Sequence, residues 1–563
     1  MVNQHEVGCA VVLGLVFLAA GCAGSPQPAD LVLRHTAVVT LDARRPRAEA
    51  VAVTDGRLVF VGTDAAVAPW IGPRTRVLDL AGGMVLPGFQ DSHTHLADGG
   101  VELGDCRLDA AATPEEVLAE VGRFAAAHPE RPWILGGGWQ LPVFPHANPH
   151  KRDLDALVPD RPVALSAADG HSLWVNTRAL ALAGITAATP DPPNGRIERD
   201  PATGEPTGTL RESAADLVGH LIPGRTPEER IEGLRRALQL AAAAGITSLQ
   251  DASATPEELD AYAALDRSGE LTVRVTAALL AEAEKGIAQI PELVRLRRVY
   301  SGRRLRAGTV KLFVDGVIEA RTAALLEPYL GSTDRGRPNW EPAALDAMVA
   351  ALDREGFQIH VHAIGDRAVR ITLDAFEKAR AANGPRDARH QIAHLELIDP
   401  QDIPRFQRLG VIADFQPLWA YEDAYIQDLT VPVLGPERSR WLYPIGSVAK
   451  TGAVVVGGSD WPVSSMNPLE AIQVGLTRRD PGSGSGPAWL PEQTVDLDTL
   501  LAAYTLRGAF AAFQEATTGS LEVGKAADLI VLDRDLTRSP PHEIAKVRVL
   551  RTFIDGQEAF ASR

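Results

Sequence analysis

Two histidines, His93 and His95, close the run Pro87-Gly88-Phe89-Gln90-Asp91-Ser92-His93-Thr94-His95. On an extended strand, residues two apart face the same side, so both imidazoles can reach one cation. Three more polar residues stand just past apolar runs. His362 follows Gln358-Ile359-His360-Val361, His394 follows His390-Gln391-Ile392-Ala393, and Asp460 follows Val454-Val455-Val456-Gly457-Gly458-Ser459. Taken singly, each reads more readily as a cap or a loop residue. Taken together they offer the nitrogen and oxygen donors that suit a borderline divalent ion such as zinc, one ion or two. The three cysteines, Cys9, Cys22 and Cys106, are too few for a thiolate site or a disulfide framework, so imidazole and carboxylate must carry any metal.

Lys311 is the unusual member, set inside Gly308-Thr309-Val310-Lys311-Leu312-Phe313-Val314-Asp315-Gly316. An ammonium in an apolar strand is costly, and burial lowers its pKa. Two readings are open. A neutral amine there reacts with carbon dioxide to give a carbamate, an anion whose two oxygens can bridge two metals. Alternatively, the lysine is an ordinary salt-bridged one, paired with Asp315 on the same strand face. The neighbouring histidines favour the carbamate.

These groups lie far apart in the chain, so a scaffold must gather them. The middle of the chain alternates strand-like and helix-like patterns, the signature of a parallel sheet built from βα units. Eight apolar strand candidates fall at 84–86, 246–250, 273–276, 310–314, 358–362, 390–394, 411–415 and 453–456, with helical stretches such as 227–244 and 342–354 between them. This order predicts a distorted (β/α)8 TIM-type barrel spanning 84–514, whose active site sits at the C-terminal ends of the strands. Residues 96–245 are too many for a structureless loop. An inserted subdomain at about 97–240 is expected there, with Trp133, Trp139 and Trp174 in its core. Both chain ends read as β: Asp55-Gly56 and Asp555-Gly556 each stand between β-rich runs, a strong hairpin signal because both turn residues tolerate positive φ. Residues 31–83 and 515–563 are candidates to pair into one small β-sandwich, a pairing that periodicity alone does not establish.

The net charge of −16 argues against a nucleic-acid partner, which calls for a basic patch. A small-molecule substrate is the expected partner; the oligomeric state stays open, with a homodimer as one option. Residues 8–20 are apolar, too short for a bilayer span of about 20 residues but fitting a signal peptide. Leu18-Ala19-Ala20-Gly21-Cys22 is similar to a bacterial lipobox, in which the cysteine receives a lipid. It departs in having no Lys or Arg before Gly8 and in placing the leucine four residues before Cys22 rather than three. The expectation is a signal peptide at 1–22, a linker at 23–30 and an exported chain of the cell envelope, periplasmic or anchored to the membrane through Cys22.

The ordered set of motifs resembles the amidohydrolase superfamily and, within it, the YtcJ-like group (the amidohydrolase 3 family). The pieces are Pro-Gly-Phe-Gln-Asp-Ser-His-Thr-His at 87–95, Lys-Leu-Phe-Val-Asp-Gly at 311–316, His-Ala-Ile-Gly-Asp at 362–366, His-Leu-Glu at 394–396 and Gly-Ser-Asp-Trp-Pro at 458–462. Asp169-Gly170-His171-Ser172 and Trp174-Val175-Asn176 match in the insert, and 519–529 match near the C-terminus. The resemblance implies the barrel-plus-sandwich fold. It also implies zinc held by His93 and His95 on the first strand, carboxylated Lys311 on the fourth, His362 on the fifth, His394 on the sixth and Asp460 on the eighth. Two departures are Gln90, where the group often has an apolar residue, and Val317-Ile318-Glu319-Ala320-Arg321, which replaces a more usual Gly/Ser-rich stretch.

The expected chemistry is hydrolysis of a carbon–nitrogen bond other than a peptide bond, in amides or N-acyl compounds. A metal-activated water attacks the carbonyl while Asp460 takes its proton and returns it to the leaving group. His171 is a candidate donor to the oxyanion, or else a core histidine of the insert. Arg321 is a candidate clamp for a substrate carboxylate, or else a surface ion pair. Lactone or ester hydrolysis would use the same centre. Ring deaminases of the superfamily usually carry a glutamate three residues after the fifth-strand histidine, where this chain has Gly365. A non-catalytic binding barrel would have lost ligands, and all six are intact.

Overall fold

The computed structural model describes residues 27–562; Cys22 and the apolar stretch 8–20 lie outside the described residues. Eight parallel strands form the central sheet: Phe89–Thr94, Ile246–Ala254, Arg274–Leu280, Leu305–Phe313, Gln358–Ala363, Gln391–His394, Ile412–Phe415 and Val455–Gly457. Their neighbour order is their chain order. The first and last are tied together just past the eighth strand, where the Asp460 N–H donates to the His93 carbonyl at 2.7 Å.

Helices wrap this sheet, and their ends are written in the sequence. Pro227–Ala243 starts with a reciprocal capping box between Thr226 and Glu229, which satisfies two otherwise orphaned N–H groups. Pro256–Ser268 starts the same way with Thr255 and Glu258 and stops at Gly269 in the left-handed conformation. Both start with proline at the first helical position, where its missing N–H costs nothing.

One strand expectation is corrected. Residues 84–86 are not barrel strand one: Met84–Pro87 lies in the six-stranded terminal sheet, antiparallel to Leu529–Leu532 and parallel to Ala37–Val39. The chain changes sheets at Gly88, where a β-carbon would stand 2.2 Å from the Thr247 side chain. The true first barrel strand reads Phe-Gln-Asp-Ser-His-Thr, fully buried yet mostly polar. A search for apolar runs passes over it because its inward groups are there for chemistry.

The terminal sheets pack face to face as a sandwich. A four-stranded sheet from the N-terminal segment and the six-stranded sheet shared by both ends enclose Leu33, Val51, Val53, Val85, Leu529 and Phe553. Asp55-Gly56 (φ 49° and 74°) and Asp555-Gly556 (φ 49° and 70°) both turn with positive φ, as expected. Arg274 on the third barrel strand reaches Asp528 at 2.7 Å, and Arg304 reaches Asp555 at 2.7 Å, pinning sandwich to barrel.

The insert is a second six-stranded sheet running from Cys106–Arg107 to Pro206–Glu212. Trp139 and Trp174 are wholly buried against one face, and Trp133 packs on the other. Its span is narrower than 97–240. The flanking helices Leu96–Glu102 and Pro227–Ala243 meet each other at Gly100 and Gly233, where a β-carbon on either would strike the other's backbone, and they belong to the barrel's helical layer.

Candidate active site

The first, fourth, fifth, sixth and eighth barrel strands deliver their polar residues to one mouth of the barrel. His93, Lys311, His362, His394 and Asp460 are all buried, and His95 is partly open. His93 Nε2 and His95 Nε2 stand 3.3 and 3.1 Å from Asp460 Oδ1, and His394 Nδ1 stands 3.8 Å from Asp460 Oδ2. The rings of His362 and His394 are 4.4 Å apart, and Lys311 Nζ lies 3.4 Å from His93 Nε2. All six residues named from the sequence thus converge. The backbone turns sharply to present them: His394 (φ 75°), Leu395 (φ 54°) and Asp460 (φ 54°) occupy the left-handed region. That region costs a non-glycine residue about 1–3 kcal/mol, and it accompanies functional sites.

The donor set fits a divalent cation. Asp460 Oδ1 and His394 Nδ1 are buried with no hydrogen-bond partner, although imidazole nitrogens stand close to that oxygen. Lone pairs facing one another across such a gap need a positive charge between them. Burial first, then Lys311 and neighbouring rings, hold His93 far below the usual histidine range. His362 and His394 are likewise held well down, burial again leading. Neutral imidazoles are the form that ligates metal. Burial would raise the Asp460 carboxyl, but the adjoining His93, His95 and His394 outweigh it and hold it well below the usual carboxylate range.

Outer partners orient these ligands. His360 Nε2 meets His93 Nδ1 at 2.7 Å, and Gln391 Oε1 meets His360 Nδ1 at 3.2 Å. Ser253 Oγ meets His95 Nδ1 at 3.1 Å. Such contacts set which ring nitrogen faces the cation. His360 was legible but unread: it stands two residues before His362 on one strand, the same spacing as His93 and His95. Asp91 was also missed. It accepts from the Ser459 N–H at 2.9 Å and the Ser459 hydroxyl at 2.6 Å, locking the strand that carries His93 to the turn that carries Asp460.

Lys311 does not pair with Asp315. Among the described residues no carboxylate lies within salt-bridge reach of its Nζ, and burial pushes the amine down to about 7. Asp315 instead accepts three backbone N–H groups, from Ala324 (2.8 Å), Ile364 (3.0 Å) and Gly365 (2.9 Å). Asp315→Ala strands all three. At about 1–3 kcal/mol per buried unsatisfied donor, its denaturation midpoint drops clearly below that of wild type, with Asp315→Asn intermediate; an unchanged midpoint would contradict this role.

Gly458 is a second sensitive point. A β-carbon there would sit 2.6 Å from His93 Cβ and 2.8 Å from His93 N. Gly458→Ala must push the His93 backbone and the turn after the eighth strand apart by more than half an ångström, at about 1–3 kcal/mol. The expected result is a folded chain with reduced metal content, read by elemental analysis against wild type.

The insert contributes His171, whose Nδ1 pairs with Glu212 Oε2 at 2.9 Å and whose ring lies 5.3 Å from that of His362. Burial lowers its pKa, but Glu212 and then Asp169 outweigh burial and carry it to about 9, so it is cationic at neutral pH. It lines the cavity of about 340 Å³ beside the histidine cluster. Arg321 does not. It is exposed and does not line that cavity, because the turn after Asp315-Gly316 presents Val317 and Glu319 inward and reverses at Arg321 with φ 58°. The carboxylate clamp expected of Arg321 is therefore withdrawn.

Comparison with known proteins agrees with this geometry. The model of the amidohydrolase family matches residues 76–560. YtcJ of Bacillus subtilis is 30% identical over 519 residues, covering 91% of this chain and 96% of that protein. An N-substituted formamide deformylase of Arthrobacter pascens is 29% identical over 545 residues, covering 94% and 98%. The solved structure of an uncharacterized metal-dependent hydrolase from Pyrococcus horikoshii superimposes with a TM-score of 0.71 at 26% identity, covering 91% of this chain and 99% of that one.

Proposed function

Because this chain belongs to the amidohydrolase family, we propose that it is a zinc-dependent hydrolase of N-acyl or N-formyl compounds, cleaving a carbon–nitrogen bond other than a peptide bond. The observation that carries this is the convergence of three imidazoles on the Asp460 carboxylate, His93 and His95 at its unpartnered Oδ1 and His394 at its Oδ2. The likeness to a formamide deformylase supports a small acyl group.

His93, His95, His362, His394 and Asp460 would hold the metal, with Lys311, as a carbamate, offering further oxygen donors. When bound, the cation supplies Lewis acidity, which acidifies water and polarises a carbonyl. For the carbamate, the neutral Lys311 amine adds to carbon dioxide, forming an N–C bond and releasing one proton. Burial without a carboxylate partner supports an amine able to do so. Asp460 accepts the proton of the attacking water on a carboxylate oxygen and passes it to the departing nitrogen, so the amine leaves neutral. His171, held cationic by Glu212, donates to the oxygen that gains charge as the carbonyl carbon becomes tetrahedral. Gly365 stands where superfamily ring deaminases carry a glutamate, which disfavours that reaction.

Metal analysis of the purified chain, combined with a screen of N-substituted formamides, N-acyl amino acids and lactones, tests this reading. One or two divalent ions per chain and amine release are expected. A chain that binds no divalent ion even after reconstitution would overturn it, and turnover of lactones alone would move it to ester chemistry. Export with lipidation at Cys22 is a separate proposal resting on the N-terminal sequence; a mature chain that carries no labelled fatty acid ends it.

A further inference from the structure

The substrate cavity is acidic and aromatic. Glu319, Glu396 and Asp423 line it together with Trp419, Tyr425 and Tyr443, and among the described residues no lysine or arginine does. The one cationic side chain at its wall, His171, is already paired with Glu212. Glu396 is 4% exposed, and its Oε2 has no hydrogen-bond partner. Glu319 has one oxygen engaged by the Thr430 hydroxyl at 2.6 Å, and Asp423 accepts the Ile426 N–H at 2.9 Å; neither contact brings a positive charge. Burial first, with Asp169 and Asp423 adding to it, holds the Glu319 carboxyl above its usual range. A folded chain that places several carboxyls in one half-closed space without a cation leaves room for a ligand to bring one. Aromatic rings in the same wall add to this, since a ring quadrupole attracts a cation that reaches its face.

Resting on the hydrolase reading above, we infer that this cavity selects substrates bearing a positively charged amine apart from the scissile bond: an N-acyl or N-formyl diamine or a similar ammonium-bearing amide. Glu396 and Glu319 hold the ammonium, Asp423 adds to the field, and Trp419, Tyr425 and Tyr443 cover its methylene chain. At the Glu319, Glu396 and Asp423 end of the cavity a substrate carboxylate would meet carboxyl groups and no lysine or arginine.

Three formamides of equal length test this: N-formyl-1,6-diaminohexane, N-formylheptylamine and N-formyl-7-aminoheptanoate, ending in ammonium, methyl and carboxylate. With the metal-loaded enzyme, kcat/KM is expected to fall at least tenfold from the first to the second and further to the third. In Glu319→Gln and Asp423→Asn the ratio of the first to the second narrows towards one while metal content stays at the wild-type level. Calorimetric titration with hexylammonium and with heptanoate, neither of which can be hydrolysed, separates the two readings. Tight hexylammonium binding without formamide turnover sustains the cation site and counts against hydrolysis of this class. Turnover that ignores the terminal charge, or equal binding of the two probes, overturns the inference and leaves the hydrolase standing.

Discussion

Asp460→Asn is expected to lower kcat/KM by about three orders of magnitude or more, with the fold retained. General acid–base transfer alone contributes about 10²–10⁴-fold, and this residue would also supply charge to the proposed metal site. Asparagine keeps the shape and one acceptor oxygen but cannot take a proton and carries no charge opposite His93, His95 and His394. The Asp460 N–H to His93 carbonyl bond, which closes the barrel, is a backbone bond and survives the change. Near-wild-type far-ultraviolet circular dichroism with lost turnover is the expected pair of observations. A variant within tenfold of wild type on its best substrate would remove Asp460 from proton transfer.

Lys311→Ala is expected to lose bound metal and about two to three orders of magnitude of activity, part of which returns with millimolar acetate or propionate. The wild-type side chain is wholly buried, so the alanine leaves a void lined by the remaining ligands. A small carboxylate can enter that void and present two oxygens, as the carbamate would. Lys311→Met is the control: it fills the same space with no amine, so it should lose metal equally and resist rescue. A zinc-to-protein ratio unchanged in both variants would refute the carbamate. Activity unchanged by dissolved carbon dioxide, in enzyme stripped and reloaded in its absence, would do the same.

Much of the architecture was legible because local chemistry and tertiary need coincide. Two-residue spacing puts His93 and His95 on one strand face wherever that strand lies. Asp55-Gly56 and Asp555-Gly556 turn with positive φ as their chemistry demands, and capping boxes mark the helix starts at Thr226 and Thr255. Periodicity misplaced the first barrel strand for a physical reason. Met84-Val85-Leu86 is the more apolar run because it lies between two packed sheets, whereas Phe89–Thr94 carries polar groups inward to the site. Asp315 shows the converse. Its position on the strand suggested a partner for Lys311, yet a carboxylate finds three aligned N–H groups in the turns at Ala324 and Ile364-Gly365, contacts that no local pattern encodes.

From its sequence alone the chain determined the candidate ligand types, their placement at strand ends, the parallel barrel and the β character of its two termini. These follow from short-range rules of spacing, propensity and turn geometry. Only the tertiary structure decided that Arg321 points to solvent while Glu319 points inward, that His360 rather than a carboxylate orients His93, and that several carboxyl groups share one cavity wall. Those outcomes depend on which loops meet over the barrel mouth. Residues 169, 319, 396 and 423 are distant in the chain, and their shared field exists only once folding has brought them to one space.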